Sequence, residues 1–276
     1  MFAEFLASYL SPPDFVEVPA LIFWGVAIAS VLLMAIAKSG FGGAVASLSA
    51  PLMLTVLPPR ETLALLLPLY LLTDIWTIWI WRGYCYWRLL FWMVLFAIIG
   101  QMLGYLLISF IDDAMLKMLI GLVALITGTR YWVRWKYPLV TAHPFREKRV
   151  VRSRLVSRAG IWCSLSGFSS FISLTGGIPM QVFLLPMRLH RYLVVGTSAW
   201  YFLTINIAKL PFFFDLGLFT PATIILSTLL IPVIPVGVLL GKWLNQRIND
   251  RLFYHLAHAA LFILGVRLVW SYMAAT

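Results

Sequence analysis

The chain alternates long apolar stretches with short polar connections. Residues 19–37, 61–81, 89–110, 114–132, 155–174, 192–214, 220–241 and 252–270 each come close to the ~20 residues that carry a helix across a ~30 Å hydrocarbon core. The pattern predicts eight spanning helices. Two shorter apolar segments, 41–57 and 178–187, follow glycine-rich breaks. At ~1.5 Å per residue the second reaches about halfway across as a helix. Each of the two either re-enters on its own side or completes a further crossing.

The same pattern is written twice. Gly100-Gln101-Met102-Leu103-Gly104 returns 137 positions later as Gly237-Val238-Leu239-Leu240-Gly241, Ile111-Asp112-Asp113 as Ile248-Asn249-Asp250, and Gly128-Thr129-Arg130 as Gly265-Val266-Arg267. Ser39-Gly40-Phe41 recurs as Ser166-Gly167-Phe168 at an offset of 127, so the second half holds about ten extra residues. Duplication in an apolar chain of this size suggests a transporter, since many such folds build a central site between internal repeats. Composition agrees: 62% hydrophobic, 15% aromatic and 11% charged, with a mean hydropathy of +0.94, lies far from soluble domains.

Lys and Arg gather on the cytoplasmic side of membrane proteins, so loop charge discriminates between the crossing patterns. With the acidic N-terminal stretch (Glu4, Asp14, Glu17) outside and five segments per repeat, 17 of the 21 basic residues fall inside, nine of them within 130–158. The eight-crossing pattern, with Lys38 left unassigned, places 13 inside and 7 outside. The expectation is an all-α polytopic membrane protein made of two repeats of about five transmembrane or half-membrane segments. An odd number of crossings makes the repeats inverted. They divide the chain into 19–135, a basic cytoplasmic connection at 136–154, and 155–272. The first thirteen residues carry no basic region, so no cleaved signal is expected. The location expected is the inner membrane, with the N-terminus periplasmic or extracellular.

The net charge of +11 does not point to nucleic acid, because it concentrates in one loop and at the inner ends of spans. Arg146, Lys148, Arg149, Arg152 and Arg154 suit anionic lipid headgroups better. Cys85 and Cys163 stand alone, as core filling would leave them. His255 and His258 share a helix face without a carboxylate or cysteine to complete a metal set. No nucleophile elbow, paired catalytic carboxylates or phosphate-cradling loop is present. Neither enzymatic activity nor a metal or cofactor is expected. Gly100 and Gly104, with Gly237 and Gly241, have the GxxxG spacing of close helix packing, within or between protomers, so a homo-oligomer is possible. Trp76, Trp79, Trp81, Trp87 and Trp92 surround Arg82 and Arg88 as an interfacial belt or a pore wall would.

Candidate chemistry centres on the breaks. Lys38-Ser39-Gly40-Phe41-Gly42-Gly43 and Ser166-Gly167-Phe168-Ser169-Ser170, the latter followed by Thr175-Gly176-Gly177-Ile178-Pro179, place small residues inside apolar sequence. Such stretches unwind helices, and exposed backbone at membrane depth is tolerated only where it is buried in protein or lines a wet cavity. A turn that restarts a helix offers free N–H groups and a positive dipole end to an anion. Two such turns would pair into one midplane site, with Ser39, Ser166, Ser170, Thr175 and the amide of Gln181 as donors. Close packing of helices by small residues is the equal alternative.

Charge inside a span is costly and often functional. Asp74 lies midway along 61–81, Lys38 at the first break, and Lys209 late in 192–214 with Asn206 one turn before it. Either lysine would hold an anion or snorkel to an interface. Asp74 would carry a coupling proton, neutralise a lysine, or make a polar helix contact. Thr197 and Ser198 are weaker candidates, since hydroxyls also bond their own helix carbonyls. Arg188 and Arg191 mark the cytoplasmic end of the short helix.

Ser39-Gly40-Phe41-Gly42-Gly43 before Ala50-Pro51-Leu52-Met53-Leu54, and Leu174-Thr175-Gly176-Gly177-Ile178-Pro179 before Val195-Gly196-Thr197-Ser198, resemble the TauE/SafE sulfite exporter family over roughly residues 20–272. Where that family runs three glycines, this chain has Ser47-Leu48-Ser49-Ala50-Pro51 and, in the second repeat, only Gly176-Gly177. The resemblance implies an inner-membrane carrier of sulfite, thiosulfate or organosulfonates. The expected function is therefore a secondary transporter of a small sulfur-containing anion by alternating access. A carrier of another small anion or weak acid is the alternative, and a membrane enzyme, assembly factor or scaffold is more distant.

Overall fold

A computed structural model describes residues 18–107 and 153–273, with isolated positions between 118 and 129. The span expected at 114–132, most of the basic connection and the acidic N-terminal stretch lie outside the described residues. Those described are helical and include no strand. In chain order the elements are α1 (Ala20–Phe41), a 3-10 turn (Val45–Leu48), α2 (Ser49–Met53), α3 (Pro59–Ile80), α4 (Trp87–Leu107), α5 (Ser153–Ser173) and α6 (Gly177–Leu184). A 3-10 turn (Leu185–Met187), α7 (Arg191–Asp215), α8 (Pro221–Leu230), α9 (Val233–Arg247) and α10 (Asp250–Met273) follow. Among the described residues four helices (α1, α3, α4 and α7) are long and apolar enough to cross a membrane, and the bent pair α8 and α9 is either a broken fifth span or a re-entrant loop.

Prolines set several boundaries. Pro59 and Pro221 occupy the first helical turn, where a missing N–H costs nothing. Thr220 caps α8 reciprocally with Thr223. The stretch 220–241 was expected as one span, yet it bends by 46° between α8 and α9. Pro232 and Pro235 cannot donate to the carbonyls four residues before them. Those carbonyls, on Thr228 and Ile231, instead accept from Ile231 N and Ile234 N at 3.2 and 3.0 Å.

The most extensive helix contacts are α4 with α5 and α1 with α9, so the opening helix of each half lies against a late helix of the other. Glycines make both seams. A Cβ on Gly167 (α5) would run into the backbone of Ala97, and one on Gly100 (α4) into that of Ser164. A Cβ on Gly237 (α9) would meet Ala35 at 2.6 Å, and one on Gly40 (α1) would meet the Gly241 carbonyl at 3.0 Å. The GxxxG glycines expected to pack do pack, within the protomer. Both seams use glycines from corresponding places in the sequence, Gly40 and Gly167 on the opening helices and Gly241 and Gly104 on the late ones, although their contact partners differ: Gly40 meets Gly241, whereas Gly167 meets Ala97 and Gly104 meets Phe171.

The short apolar segments become the 3-10 turn plus α2, and α6 plus its 3-10 turn. Every residue of α6 is buried, which removes its irregular flanking backbone from lipid as a membrane interior requires. Overpacking a seam costs about 1–3 kcal/mol or more when backbone must move. Gly167→Val is therefore expected to lower the thermal stability of the detergent-solubilised protein sharply. Gly25→Ala, at a glycine where an added Cβ would have nothing within 4 Å, should leave it within about 0.5 kcal/mol. Equal melting temperatures for the two variants would contradict the packing role.

Candidate anion site between the helix breaks

The first break forms because α1 ends in glycine. Gly42 adopts φ 75° as a left-handed cap whose N–H returns to the Ala37 carbonyl, and Gly43 follows at φ 105°. Both values favour glycine. The chain then leaves the helix axis with three successive carbonyls unpaired along the ladder. Each is met by a side chain distant in sequence: Trp81 Nε1 donates to Ser39 O at 2.9 Å, Asn245 Nδ2 to Gly40 O at 2.6 Å, and Gln181 Nε2 to Phe41 O. The Gln181 amide, expected as an anion donor, thus caps α1, while its Oε1 has no hydrogen-bond partner.

Ser49 and Tyr70 fix the segment after this break. Ser49 Oγ donates to Ala46 O at 2.7 Å and lies 2.7 Å from the Tyr70 hydroxyl, and Ser30 Oγ donates to Ser49 O at 2.8 Å. The second break is held differently. Leu174 adopts φ 55°, a left-handed conformation that costs a non-glycine residue about 1–2 kcal/mol. Its side chain is buried in the core. Ser166 Oγ donates to Gly176 O at 2.6 Å and accepts from the Tyr201 hydroxyl at 2.8 Å, and Thr175 pairs with Ser173 at 2.8 Å.

The breaks meet. A Cβ on Gly177 would collide with the Gly43 carbonyl, and one on Gly42 would crowd Ser198 Oγ and Gln181 Nε2 at 3.1 and 3.3 Å. Between them is a cavity of about 10 Å³ lined by Lys38, Gly43, Ala46, Ser47, Tyr70, Ser170, Leu174, Gly177, Phe202 and Asn206. That is room for a single water. A sulfur atom bearing three oxygens needs more, so the cavity in this geometry is too small to hold such an anion.

Charge concentrates on this cavity. Lys38 Nζ donates to both oxygens of Asp74 at 2.7 Å, and Asn206 Nδ2 donates to Asp74 Oδ2 at 3.0 Å. The ammonium also lies 4.4 Å from the Tyr70 ring centroid and 5.1 Å from that of Phe202, within cation–π range. Lys209 donates to Ser170 O and Oγ at 3.0 and 2.9 Å. Neither lysine snorkels: Lys38 is 5% exposed and Lys209 0%. Asp74, buried outright, neutralises a lysine, one of the three roles open to it from the sequence.

Of the residues picked out in the sequence, Lys38, Gly43, Ser170, Gly177 and Asn206 line the cavity. Asp74 and Lys209 stand directly behind that lining. Ser39 Oγ donates to Ala35 O and Val238 O at 2.9 and 3.0 Å, which places it with Gly40 in the α1–α9 seam. Gly167 belongs to the α4–α5 seam, and Gly176 packs on Ser166 and Ser170. Thr197 Oγ1 accepts from Tyr86 N at 3.0 Å, tying the α3–α4 connection to α7. Ser47 was not among the candidates. It lines the cavity, is 3% exposed, and its Oγ lacks a hydrogen-bond partner. Its place in the glycine-poor run Ser47-Leu48-Ser49 was the available signal.

Spanning helices wrapped around a buried ionised cluster define a multi-pass helical membrane protein of the transporter class. The chain belongs to the sulfite exporter TauE/SafE family, whose family model matches residues 26–268. Membership implies a membrane exporter of sulfite or a related anion. Searches of curated proteins and of solved structures return no match.

Removing one partner of a buried ion pair typically costs about 3–5 kcal/mol, whereas removing both costs far less. Lys38→Met should therefore lower the thermal stability of the protein in detergent strongly. Lys38→Met combined with Asp74→Asn should recover most of the loss. A double variant no more stable than the single one would show that the pair is not a closed electrostatic unit.

Proposed function

We propose that this protein is a secondary carrier of a small sulfur-containing anion, such as sulfite, thiosulfate or an organosulfonate, which binds between the two helix breaks near the middle of the membrane. The observation that carries the reading is the cavity itself: it lies between both breaks, is lined by the buried Lys38 and the unpartnered hydroxyl of Ser47, and has the buried Lys209 behind Ser170. Family membership supplies the substrate class.

In the geometry described above, the Asp74 carboxylate takes the place on Lys38 that a substrate oxyanion would occupy. An entering anion competes with Asp74 for the ammonium, and Asn206, Ser170 and Ser47 are placed to donate to its oxygens. Charge-assisted bonds of this kind are about twice as strong as neutral ones. Exchange between the two sides follows from alternating access, with the repeats 19–135 and 155–272 rocking about the breaks as an inverted pair. The basic connection faces the cytoplasm and anionic headgroups of the inner membrane. A carrier of another small anion would use the same charges, so the substrate panel below separates the two readings.

The purified protein in liposomes should show saturable uptake of a sulfur anion in preference to chloride, acetate and phosphate. Ser47→Ala removes a hydroxyl that bonds no protein group, so it should leave stability unchanged while raising the KM for that anion roughly 3–10-fold, the worth of one hydrogen bond. Absence of saturable flux for every sulfur anion, from folded protein, would sink the proposal.

A further inference from the structure

The buried charges around the cavity do not cancel. Among the buried described residues Asp74 is the one carboxylate, against the two lysines Lys38 and Lys209. Lys38 is neutralised by Asp74 at 2.7 Å. Lys209 spends its hydrogen bonds on Ser170, an uncharged residue that lines the cavity, and its charge interacts with both Lys38 and Asp74.

The elements packed around Asp74 add nothing ionised to this sum. From α1 comes Lys38, from its own helix Tyr70, and from α7 Asn206 and Lys209. The buried polar residues of α8 and α9 are Thr223, Ser227 and Asn245, and that of α2 is Ser49. The Tyr70 hydroxyl is engaged with Ser49 and the Ala46 carbonyl. With both lysines protonated, the cluster therefore carries one surplus positive charge.

We propose, on the carrier reading above, that the site loads only to neutrality, so that a dianion enters with one more proton than a monoanion does, and that Asp74 takes up this proton. A monoanion cancels the surplus outright. A dianion leaves one negative charge, and an uncompensated charge among buried groups is costly. Protonating Asp74 restores the balance and releases both Lys38 hydrogen bonds to the anion. The proton comes from water on the side of entry and leaves with the anion on the other. In the unmodified protein the difference of one holds for either resting form of Lys209, because a proton gained there accompanies both kinds of anion; the selectivities below are those of a site with Lys209 protonated.

The two charged residues then set opposite preferences. Asp74→Asn makes the site one charge more positive, which suits a dianion without any proton and leaves a monoanion undercompensating. Lys209→Met removes a positive charge, so a monoanion loads with Asp74 protonated, while a dianion finds too little positive charge.

The test uses the full-length protein in liposomes, with methanesulfonate as the monoanion and thiosulfate as the dianion. Protons moved per anion are read from an internal pH dye with the membrane potential clamped. Thiosulfate should carry one proton more than methanesulfonate. Asp74→Asn should retain thiosulfate flux without that proton and lose roughly tenfold or more of methanesulfonate flux, and Lys209→Met should reverse the selectivity. Equal proton counts for the two anions on unmodified protein would overturn the inference and leave the carrier standing. No saturable flux of either overturns the inference, and the carrier reading falls with it only if no other sulfur anion moves. If only thiosulfate moves, Asp74→Asn must subtract one proton from its count, and an unchanged count overturns the inference; if only methanesulfonate moves, the site does not load a dianion and the inference is overturned.

Discussion

Placing ions where water cannot reach costs several kcal/mol per charge even after the protein relaxes, and this constraint organises the centre of the molecule. Lys38 and Asp74 lie on different helices, α1 and α3, and are satisfied only if those helices meet at one depth. Asn206 brings α7 to the same point through its bond to Asp74. The three helices are thus held in register by one carboxylate. Apolar packing among them fills space but specifies register less sharply. Lys209 sits on α7 one turn beyond Asn206 and extends the same polar layer to Ser170 on α5. The polar layer therefore touches both halves of the duplicated chain, and the cavity forms where it meets the two breaks.

The breaks need a second device. A helix that stops inside apolar surroundings exposes carbonyls that lipid cannot satisfy. Here the last carbonyls of α1 are met by Trp81, Asn245 and Gln181, which come from the end of α3, from α9 and from α6. The donors belong to different elements, so the end of α1 is also a junction. A movement that opens the cavity has to carry these donors along or exchange their bonds. The seams at Gly40 and Gly167 bring backbone against backbone, and tight packing of that kind favours movement of paired helices as rigid units.

The all-helical class, the apolar spans at 19–37, 61–81, 89–110 and 192–214, and the GxxxG packing were legible from periodicity and spacing, because each is a local property of the chain; the helices at Ser153–Ser173 and Asp250–Met273 form where spans were expected but are not apolar enough to count among them. The family was legible for the same reason, since its motifs are short and keep their order. The bend between α8 and α9 was not read, although Pro232 and Pro235 signalled it. Hydropathy averages over a window and does not register a missing N–H.

The site was half legible. Polar residues inside apolar spans identified Lys38, Asp74, Asn206 and Lys209, since burial of such groups is expensive wherever the helices lie. Their pairing was not determined by sequence: that Lys38 faces Asp74 while Lys209 faces Ser170 depends on the rotation of α1, α3 and α7 about their own axes. The same holds for hydroxyls. Ser39, Ser47 and Thr197 are chemically alike in the sequence, yet packing turned Ser39 into a helix seam, tied Thr197 to the Tyr86 amide and left Ser47 without a partner at the cavity. The sequence by itself determined which groups must be kept from lipid. Only the tertiary structure decided which of them satisfy one another and which remain for a ligand, because hydrogen bonds and ion pairs act over a few ångströms between elements that the chain order holds far apart.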